Sequence, residues 1–333
     1  MWNWFVSGAI LSGIFVTLAI AVFPRIGLLD FPLRYHLKRK PIPYPGGLIL
    51  SLLSLLIAII DPHFWIVVPP IITLTTVSFI DDRKGLPIST RTLIFIICAL
   101  WTFYHGVKID FIGIPWQETN LELAPYFWLT LTTTLIWVFF IQQAMNWFDG
   151  IGGLCVGVSG IGFLTLGLLG ILRPELFFDQ THTSLTLANF FLAGLCLGGF
   201  HWFWKGKILL GDTGSQVLGY LLAIMAIWSG AKIMTTLIVL ALPLIDIGFV
   251  VFRRIVIEKK SPLSSDLKHL HHNLSKKIGE RKACLSLLFL TALFGGISVY
   301  LTGTQKLISL ALVGIITFSL CSILTFKKDP SQQ

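Results

Sequence analysis

The amino-acid sequence predicts an all-α, polytopic membrane protein. Hydrophobic residues make up 55% of the 333 residues and charged residues only 12%, and the mean hydropathy is +0.82. A soluble domain is typically about one quarter charged, so this chain lacks the polar residues that a water-exposed surface requires. Long apolar runs recur along its whole length, which predicts a bundle of transmembrane helices.

The apolar runs have the lengths expected of membrane spans. A bilayer core of about 30 Å requires about 20 apolar residues in a helix. This criterion predicts a bundle of about 10–11 spans, near residues 4–23, 46–60, 64–80, 92–105, 125–144, 153–172, 183–202, 214–230, 232–252, 283–301 and 306–326. The second and fourth are short, and Pro69 and Pro70 predict a kink in the third.

The basic residues predict the orientation of the bundle. With the N-terminus outside and the C-terminus cytoplasmic, 21 of the 25 Lys and Arg residues fall in inner segments, as the positive-inside rule requires. The net charge of +9 therefore indicates cytoplasmic loops and not nucleic-acid binding. We interpret residues 1–333 as a single integral membrane domain, with cytoplasmic loops near residues 24–45, 81–91, 145–152, 203–213 and 253–282.

Two adjacent carboxylates follow the third span. Asp81 and Asp82 stand at a predicted helix end, so their side chains point in different directions and can serve a metal and a proton separately. A solvated helix terminus paired with Arg83 and Lys84 is the alternative.

The fifth span ends in an amide and a carboxylate. Asn146 and Asp149 have the i, i+3 spacing that places two side chains on one helix face, and their oxygens suit a hard cation. The glycines that follow are also typical of a plain helix end.

Two further acids accompany small residues or an apolar segment. Asp212 stands between Gly211 and Thr213, where backbone N–H groups at a helix N-terminus can approach a phosphate; Asp212 could instead cap that helix. Asp246 lies in an apolar segment, where a carboxylate is a functional candidate by default, although a structural pairing remains open.

The longest inner loop carries a histidine cluster. His269, His271 and His272, beside nine Lys and Arg residues, predict a pocket for a diphosphate or phospho-sugar. A zinc site and a basic loop drawn to anionic lipids are the alternatives.

Taken together in this order, the motifs resemble those of the polyprenyl-phosphate N-acetylhexosamine-1-phosphate transferases (glycosyltransferase family 4), in the undecaprenyl-phosphate GlcNAc-1-phosphate transferase-like branch. The resemblance covers residues 28 to 274. It rests on Asp30 and Pro32, Lys40 to Pro43, Gly46 and Gly47, Asp81 and Asp82, Asn146 with Asp149 and Gly150, Gly211 to Ser215, Pro243 with Asp246, and His269 with His271 and His272.

The resemblance implies a reaction and roles for these residues. The family transfers an N-acetylhexosamine-1-phosphate from a UDP-sugar to undecaprenyl phosphate and releases UMP, which initiates the synthesis of an envelope polysaccharide such as O-antigen. It implies that Asp81, Asp82 and Asp149 are catalytic, that Asp212 and Asp149 hold Mg²⁺ (or Mn²⁺ in its place), and that Lys40, Asn146, His269, His271 and His272 bind substrate. It also implies a multi-pass protein of the bacterial cytoplasmic (inner) membrane with its active site facing the cytoplasm.

The donor and the partners follow from the same resemblance. The His-x-His-His pattern favours UDP-GlcNAc or a related UDP-N-acetyl amino sugar. The expected partners are undecaprenyl phosphate, this donor and the lipid bilayer; nucleic acid is not expected, and a homodimer is left open. Direct displacement and a covalent route through Asp81 or Asp82 are both compatible with these residues.

Three positions depart from the family pattern. The family usually has Asn at Gln143, Asp at Gly152 and Asn at Trp202, so these positions bear on the donor and on activity. A membrane transporter, or an inactive relative acting as a partner protein, is the alternative function. The transporter is disfavoured because transporters place polar groups near the bilayer midplane, often in repeated halves, and this chain shows no repeat.

Overall fold

The computed structural model describes residues 1–32, 39–114, 116, 120–176, 182–230, 233–261 and 268–326. Parts of the predicted loops 24–45 and 253–282 lie outside this set. The described residues are almost entirely helical, in the order α1 (Trp2–Val22), α2 (Gly47–Ser54), α3 (Ile57–Ile60), α4 (Val68–Lys84), α5 (Ile88–Tyr104), α6 (Phe127–Trp147), α7 (Leu154–Leu172), α8 (His182–Trp204), α9 (Asp212–Trp228), α10 (Ile233–Val239), α11 (Ala241–Phe252), α12 (Leu270–Ile278), α13 (Glu280–Tyr300) and α14 (Gly303–Phe326).

The helices confirm an all-α, polytopic membrane protein, and each predicted span contains a helix or a pair of helices. Seven helices of the described chain are long and apolar enough to cross a membrane, or eight if α10 and α11, bent by 76° at their junction, form one broken span. The helices within 46–60, 92–105 and 214–230 are 17 residues or shorter. Length and composition therefore support a smaller number than the eleven predicted segments.

The prolines of the third predicted span begin a helix and do not kink it. Pro69 and Pro70 stand in the first turn of α4, and a 3-10 helix (Pro62–Val67) leads into it. A missing backbone N–H costs nothing in the first turn, because that group has no partner inside the helix. The two prolines therefore do not interrupt the hydrogen bonds of α4.

Helix α9 is the centre of the bundle. Nearly all of its residues are buried, and it packs against α2, α4, α6 and α7. On one side of it α8 packs tightly against α1 and α7. By contrast, α14 presents most of its surface outward, as expected of a helix that contacts lipid.

Two short strands lie at the end of the bundle away from the start of α9. Strands β1 (Phe111–Gly113) and β2 (Asn120–Glu122) pair antiparallel between α5 and α6. At the other end, α4 and α6 terminate and α9 begins. We call this end of the bundle the site face.

Candidate functional site

A cavity of about 580 Å³ opens at the site face. Three acids of the predicted set, Asp82, Asp149 and Asp212, line it together. They come from the end of α4, the turn after α6 and the start of α9, and Asp82 and Asp212 are 130 residues apart in the chain. The structure thus brings together three side chains that belong to separate sequence motifs.

The N-terminus of α9 is capped by an acid from another helix. Its N-cap residue, Gly211, has a φ of +78° and no side chain with which to cap. The Asp82 carboxylate replaces that cap: Oδ1 accepts the backbone N–H of Asp212 and Oδ2 that of Thr213, both at 3.0 Å. Oδ2 also accepts the Thr213 hydroxyl, and Oδ1 accepts the Tyr44 hydroxyl, both at 2.5 Å.

This arrangement changes the interpretation of the Gly211 motif. Asp212 does not cap its own helix, so that alternative is wrong. The N–H groups expected to approach a phosphate are taken by a carboxylate of the chain, because Asp82 accepts those of Asp212 and Thr213. A carboxylate matches the positive end of a helix as a phosphate does.

Asp212 is held from both sides by neighbouring side chains. The Asn146 amide donates to Asp212 Oδ1 at 2.9 Å and to the Ser215 hydroxyl at 3.0 Å. The Arg91 guanidinium donates to Asp212 Oδ2 at 3.2 Å. These bonds fix the orientation of the Asp212 carboxylate at the wall of the cavity.

The i, i+3 spacing had predicted that Asp149 lies on the same helix as Asn146. Asp149 instead lies in the turn after α6. Its N–H donates to the Asn146 carbonyl at 3.2 Å. Burial raises the pKa of Asp149 well above the usual range, and the nearby charges of Asp212 and Asp82 raise it further. Asp149 therefore holds its proton more tightly than an exposed carboxyl group does.

Asp81 does not line the cavity. Its Oδ1 accepts the Leu86 N–H at 2.6 Å and its Oδ2 accepts Arg91 Nη1 at 2.8 Å. Because the same Arg91 atom also contacts Asp212, this cation joins the two acids. Arg91 belongs to none of the sequence motifs, because a single basic residue in a predicted short loop forms no pattern.

The acidic end of the cavity fits a hard divalent cation. Among the residues that the structure describes, no group of three or more His, Cys, Asp or Glu side chains is spaced to hold a metal ion. Mg²⁺ usually takes only one or two protein carboxylates and completes its shell with water and phosphate oxygens. Asp149 and Asp212 supply such a pair, whereas a structural zinc site would need four closed ligands.

Asp246 holds the start of α12 in the way that Asp82 holds the start of α9. Its Oδ1 accepts the Leu270 N–H at 2.8 Å, and its Oδ2 lies 2.9 Å from His269 Nδ1. The Trp147 ring packs edge-on against His269, and Arg254 lies over the same indole, 5.2 Å from its centre. The structural alternative for Asp246 thus has direct support.

The histidines support the floor of the cavity and do not line it. His271 is fully buried beside Phe148, and burial, with the neighbouring His272 and His269, lowers its pKa well below the usual range. The rings of His271 and His272 press on Gly150, where a Cβ would come within 2.0 Å of His271 Nε2. Gly150 lines the cavity, so the histidine cluster sets the position of the cavity wall.

The far end of the cavity is aromatic and basic. Lys205 Nζ lies 4.7 Å from the centre of the Trp204 ring, and the Trp204 indole N–H donates to the Arg281 carbonyl at 3.4 Å. Lys205 and Arg281 both line the cavity, and neither belongs to a motif of the sequence analysis. The predicted Lys40 is exposed and does not line it.

The three departures differ in their relation to the cavity. Gly152 lines it, and a Cβ there would come within 2.7 Å of the Phe203 carbonyl oxygen. The loop of this chain therefore has no room for the Asp usual in the family. Trp202 packs against the core and Gln143 is half-buried on α6, and neither lines the cavity.

Comparison with known proteins adds an independent line of evidence. The model of glycosyl transferase family 4 matches residues 64–230, half of the chain. This span includes the four acids Asp81, Asp82, Asp149 and Asp212, and the histidine cluster lies outside it.

Three curated relatives illustrate the similarity. A Bacillus subtilis (strain 168) protein, named as a probable undecaprenyl-phosphate N-acetylglucosaminyl 1-phosphate transferase, is 26% identical over 88% of this chain and 82% of its own length. A Thermotoga maritima undecaprenyl-phosphate alpha-N-acetylglucosaminyl 1-phosphate transferase is 27% identical over 84% of each chain. A Synechocystis phospho-N-acetylmuramoyl-pentapeptide-transferase is 28% identical over 59% of this chain and 55% of its own.

Proposed function

The chain belongs to glycosyl transferase family 4, and we propose that it transfers an N-acetylhexosamine-1-phosphate from a UDP-sugar to undecaprenyl phosphate. The products are UMP and undecaprenyl-diphospho-sugar. The names of the Bacillus and Thermotoga relatives, which align over more than four fifths of this chain, support this reaction. It would initiate the synthesis of an envelope polysaccharide such as O-antigen.

One observation carries the proposal: Asp149 and Asp212 share one cavity at the end of an apolar helical bundle. A polyprenyl phosphate keeps its chain in hydrocarbon and its phosphate at the membrane surface, while a UDP-sugar is dissolved in water. A site that joins them has to lie at the headgroup level, and the ends of α4, α6 and α9 suit that depth.

We propose that the site face is cytoplasmic and that the membrane is the bacterial inner membrane. The support is the charge distribution, with 21 of 25 Lys and Arg residues in segments of the predicted inner side. In this orientation the donor would approach from the cytosol, and the N-terminus would lie outside.

The side chains have distinct parts in the proposed reaction. Asp212 and Asp149 would hold Mg²⁺, which neutralises the donor diphosphate when bound. Asn146 and Arg91 orient Asp212 through the bonds described above. Asp81, next to the same Arg91, would orient the acceptor phosphate or take its proton. Phosphoryl transfer depends mainly on such positioning and charge neutralisation.

We favour direct displacement of UMP by the acceptor. An oxygen of the lipid phosphate attacks the phosphorus that carries the sugar, a new P–O bond forms, and the P–O bond to UMP breaks. The covalent alternative requires a free carboxylate oxygen as the nucleophile. Both oxygens of Asp82 already accept two hydrogen bonds each, which argues against that residue in this role.

The coverage of the relatives supports an N-acetyl amino sugar donor, with UDP-GlcNAc preferred. The two N-acetylglucosaminyl transferases align over 84–88% of this chain and the pentapeptide transferase over 59%, at similar identity. The roles of Lys40 and the three histidines in binding the donor remain predictions; the contact of His271 and His272 with Gly150 supports an indirect role in shaping its pocket.

The test is UMP release by the purified protein in nanodiscs with undecaprenyl phosphate, UDP-GlcNAc and Mg²⁺. We expect UMP and a lipid product in equal amounts, both lost when the acceptor is omitted or EDTA is added. Absence of both products across a panel of UDP-N-acetyl amino sugars would contradict the proposal.

A further inference from the structure

Four donors surround the Asp82 carboxylate, two on each oxygen. A carboxylate has about four acceptor positions in all, so this group is fully engaged by the chain itself. Two of the donors are the first N–H groups of α9, whose own N-cap glycine has no side chain. The other two are the hydroxyls of Thr213 and Tyr44.

We propose that Asp82 is a positioning residue that caps α9 from another helix, and that Tyr44 and Thr213 are further positioning residues that act through it. In this account Asp82 is neither a nucleophile nor a metal ligand. Its function is to fix the start of α9, and with it the Asp212 carboxylate at the wall of the cavity.

The neighbouring contacts explain why α9 needs this anchor. The backbone of α9 begins against the backbone of α2: a Cβ on Gly47 would come within 2.2 Å of the Gly214 nitrogen. No side chain fits between the two helices there, so an anchor has to come from the α4 side. Asp82 is in place because it stands in the last turn of α4, next to Tyr44 in the cavity wall.

Tyr44 connects this anchor to the first predicted inner loop. Residues 28–30 and 42–44 pair through backbone hydrogen bonds, and Asp30 is held by Arg39 and the Ile42 N–H. The loop therefore presents the Tyr44 hydroxyl from a fixed backbone. Loss of this hydroxyl is expected to loosen Asp82, while the aromatic ring of residue 44 stays in the cavity wall.

A double-mutant cycle tests the coupling. Tyr44→Phe, Asp82→Asn and the pair are compared in melting temperature and in kcat, and Tyr126→Phe, an exposed tyrosine of the opposite end, is the matched control. If Tyr44 acts through Asp82, Tyr44→Phe lowers kcat about tenfold with KM for the donor unchanged. In the Asp82→Asn background, adding Tyr44→Phe is expected to change kcat and the melting temperature by less than about twice the error of each assay. Tyr126→Phe leaves both readouts at the wild-type value.

Rescue by a conservative variant separates positioning from general damage. Thr213→Val loses the hydroxyl bond to Asp82 and is expected to resemble Tyr44→Phe, whereas Thr213→Ser keeps that bond and most of kcat. If Asp82→Asn does not fold, the cycle between Tyr44→Phe and Thr213→Val takes its place, with the same expectation of coupling. Additive effects on melting temperature, or equal activity of the Val and Ser variants, would overturn the proposal.

The kinetic readouts rest on the proposed function, but the melting temperatures do not. A wild-type protein that releases no UMP would refute the transferase proposal and leave the thermal cycle intact. A trapped phospho-sugar adduct on Asp82 would refute the positioning role while confirming the reaction.

Discussion

Helices α9 and α12 begin beside the site in similar ways and present different chemistry. Each starts after a residue that does not cap it, and each is capped by an acid from another helix: Asp82 for α9 and Asp246 for α12. At α9 the first helical side chain, Asp212, faces the cavity. At α12 the histidines turn into the protein and support the cavity wall.

The difference shows which acids of an apolar bundle are available to bind a substrate or a metal ion. A helix N-terminus inside the bundle leaves N–H groups without partners in the helix. A nearby carboxylate that accepts these N–H groups is then no longer available to bind a metal ion or a substrate. Asp82 and Asp246 are used in this way. Asp149 and Asp212 keep part of their surface toward the cavity, where burial, and after it the charges of Asp212 and Asp82, raises the pKa of Asp149.

Asp212→Asn should have the largest effect, because it removes the acid that α9 presents to the cavity. We expect kcat to fall at least about 100-fold while the melting temperature stays near wild type, since the helix cap from Asp82 is retained. UMP release and thermal unfolding measure the two. A near-normal rate would contradict the metal-binding role of Asp212.

Arg91 variants sharpen the role of the cation between Asp81 and Asp212. Arg91→Ala should lower kcat about 10- to 100-fold, because both acids lose their shared partner. Arg91→Lys keeps the charge but cannot reproduce the planar guanidinium, so an intermediate rate is expected. If Arg91→Ala matched wild type, the contact would have no part in the reaction.

Asp246→Asn tests the cap at α12 in the same way. The variant keeps one acceptor for the Leu270 N–H but loses the charged partner of His269, so we expect kcat about tenfold lower and a lower melting temperature. Asp110→Asn, at the opposite end, is the matched control. A larger loss than in Asp212→Asn would reverse the proposed ranking of the two helix starts.

The pH dependence of stability gives the smallest effect. Because folding raises the pKa of Asp149, the folded metal-free protein binds this proton more tightly than the unfolded chain does. Its melting temperature should therefore fall as pH rises from about 4, the ordinary value, through the raised one. Asp149→Asn should show a smaller slope and not a flat profile, because burial also raises the pKa of Asp212, to about 7. Mg²⁺ should reduce the slope in wild type. Identical pH profiles of the two proteins would contradict the assignment.

The sequence was sufficient for the helical membrane fold and for the acids that line the cavity. Apolar run lengths and motif order both act over short stretches of chain, so Asp82, Asp149 and Asp212 were found without coordinates. The partners of those acids were not, because Tyr44, Arg91 and Lys205 reach the site only through tertiary packing. For the same reason the contact of His271 and His272 with Gly150 could not be read from the sequence, and Pro69 and Pro70 proved to begin a helix.

Metal binding by the wild type and two variants tests most directly whether Asp212, and not Asp82, holds the metal. Mn²⁺, in place of Mg²⁺, is titrated by electron paramagnetic resonance into wild type, Asp82→Asn and Asp212→Asn without substrate. We expect Asp212→Asn to weaken binding at least about 100-fold and Asp82→Asn by less than about tenfold. Loss of Mn²⁺ binding in Asp82→Asn, with Asp212→Asn unaffected, would contradict the account.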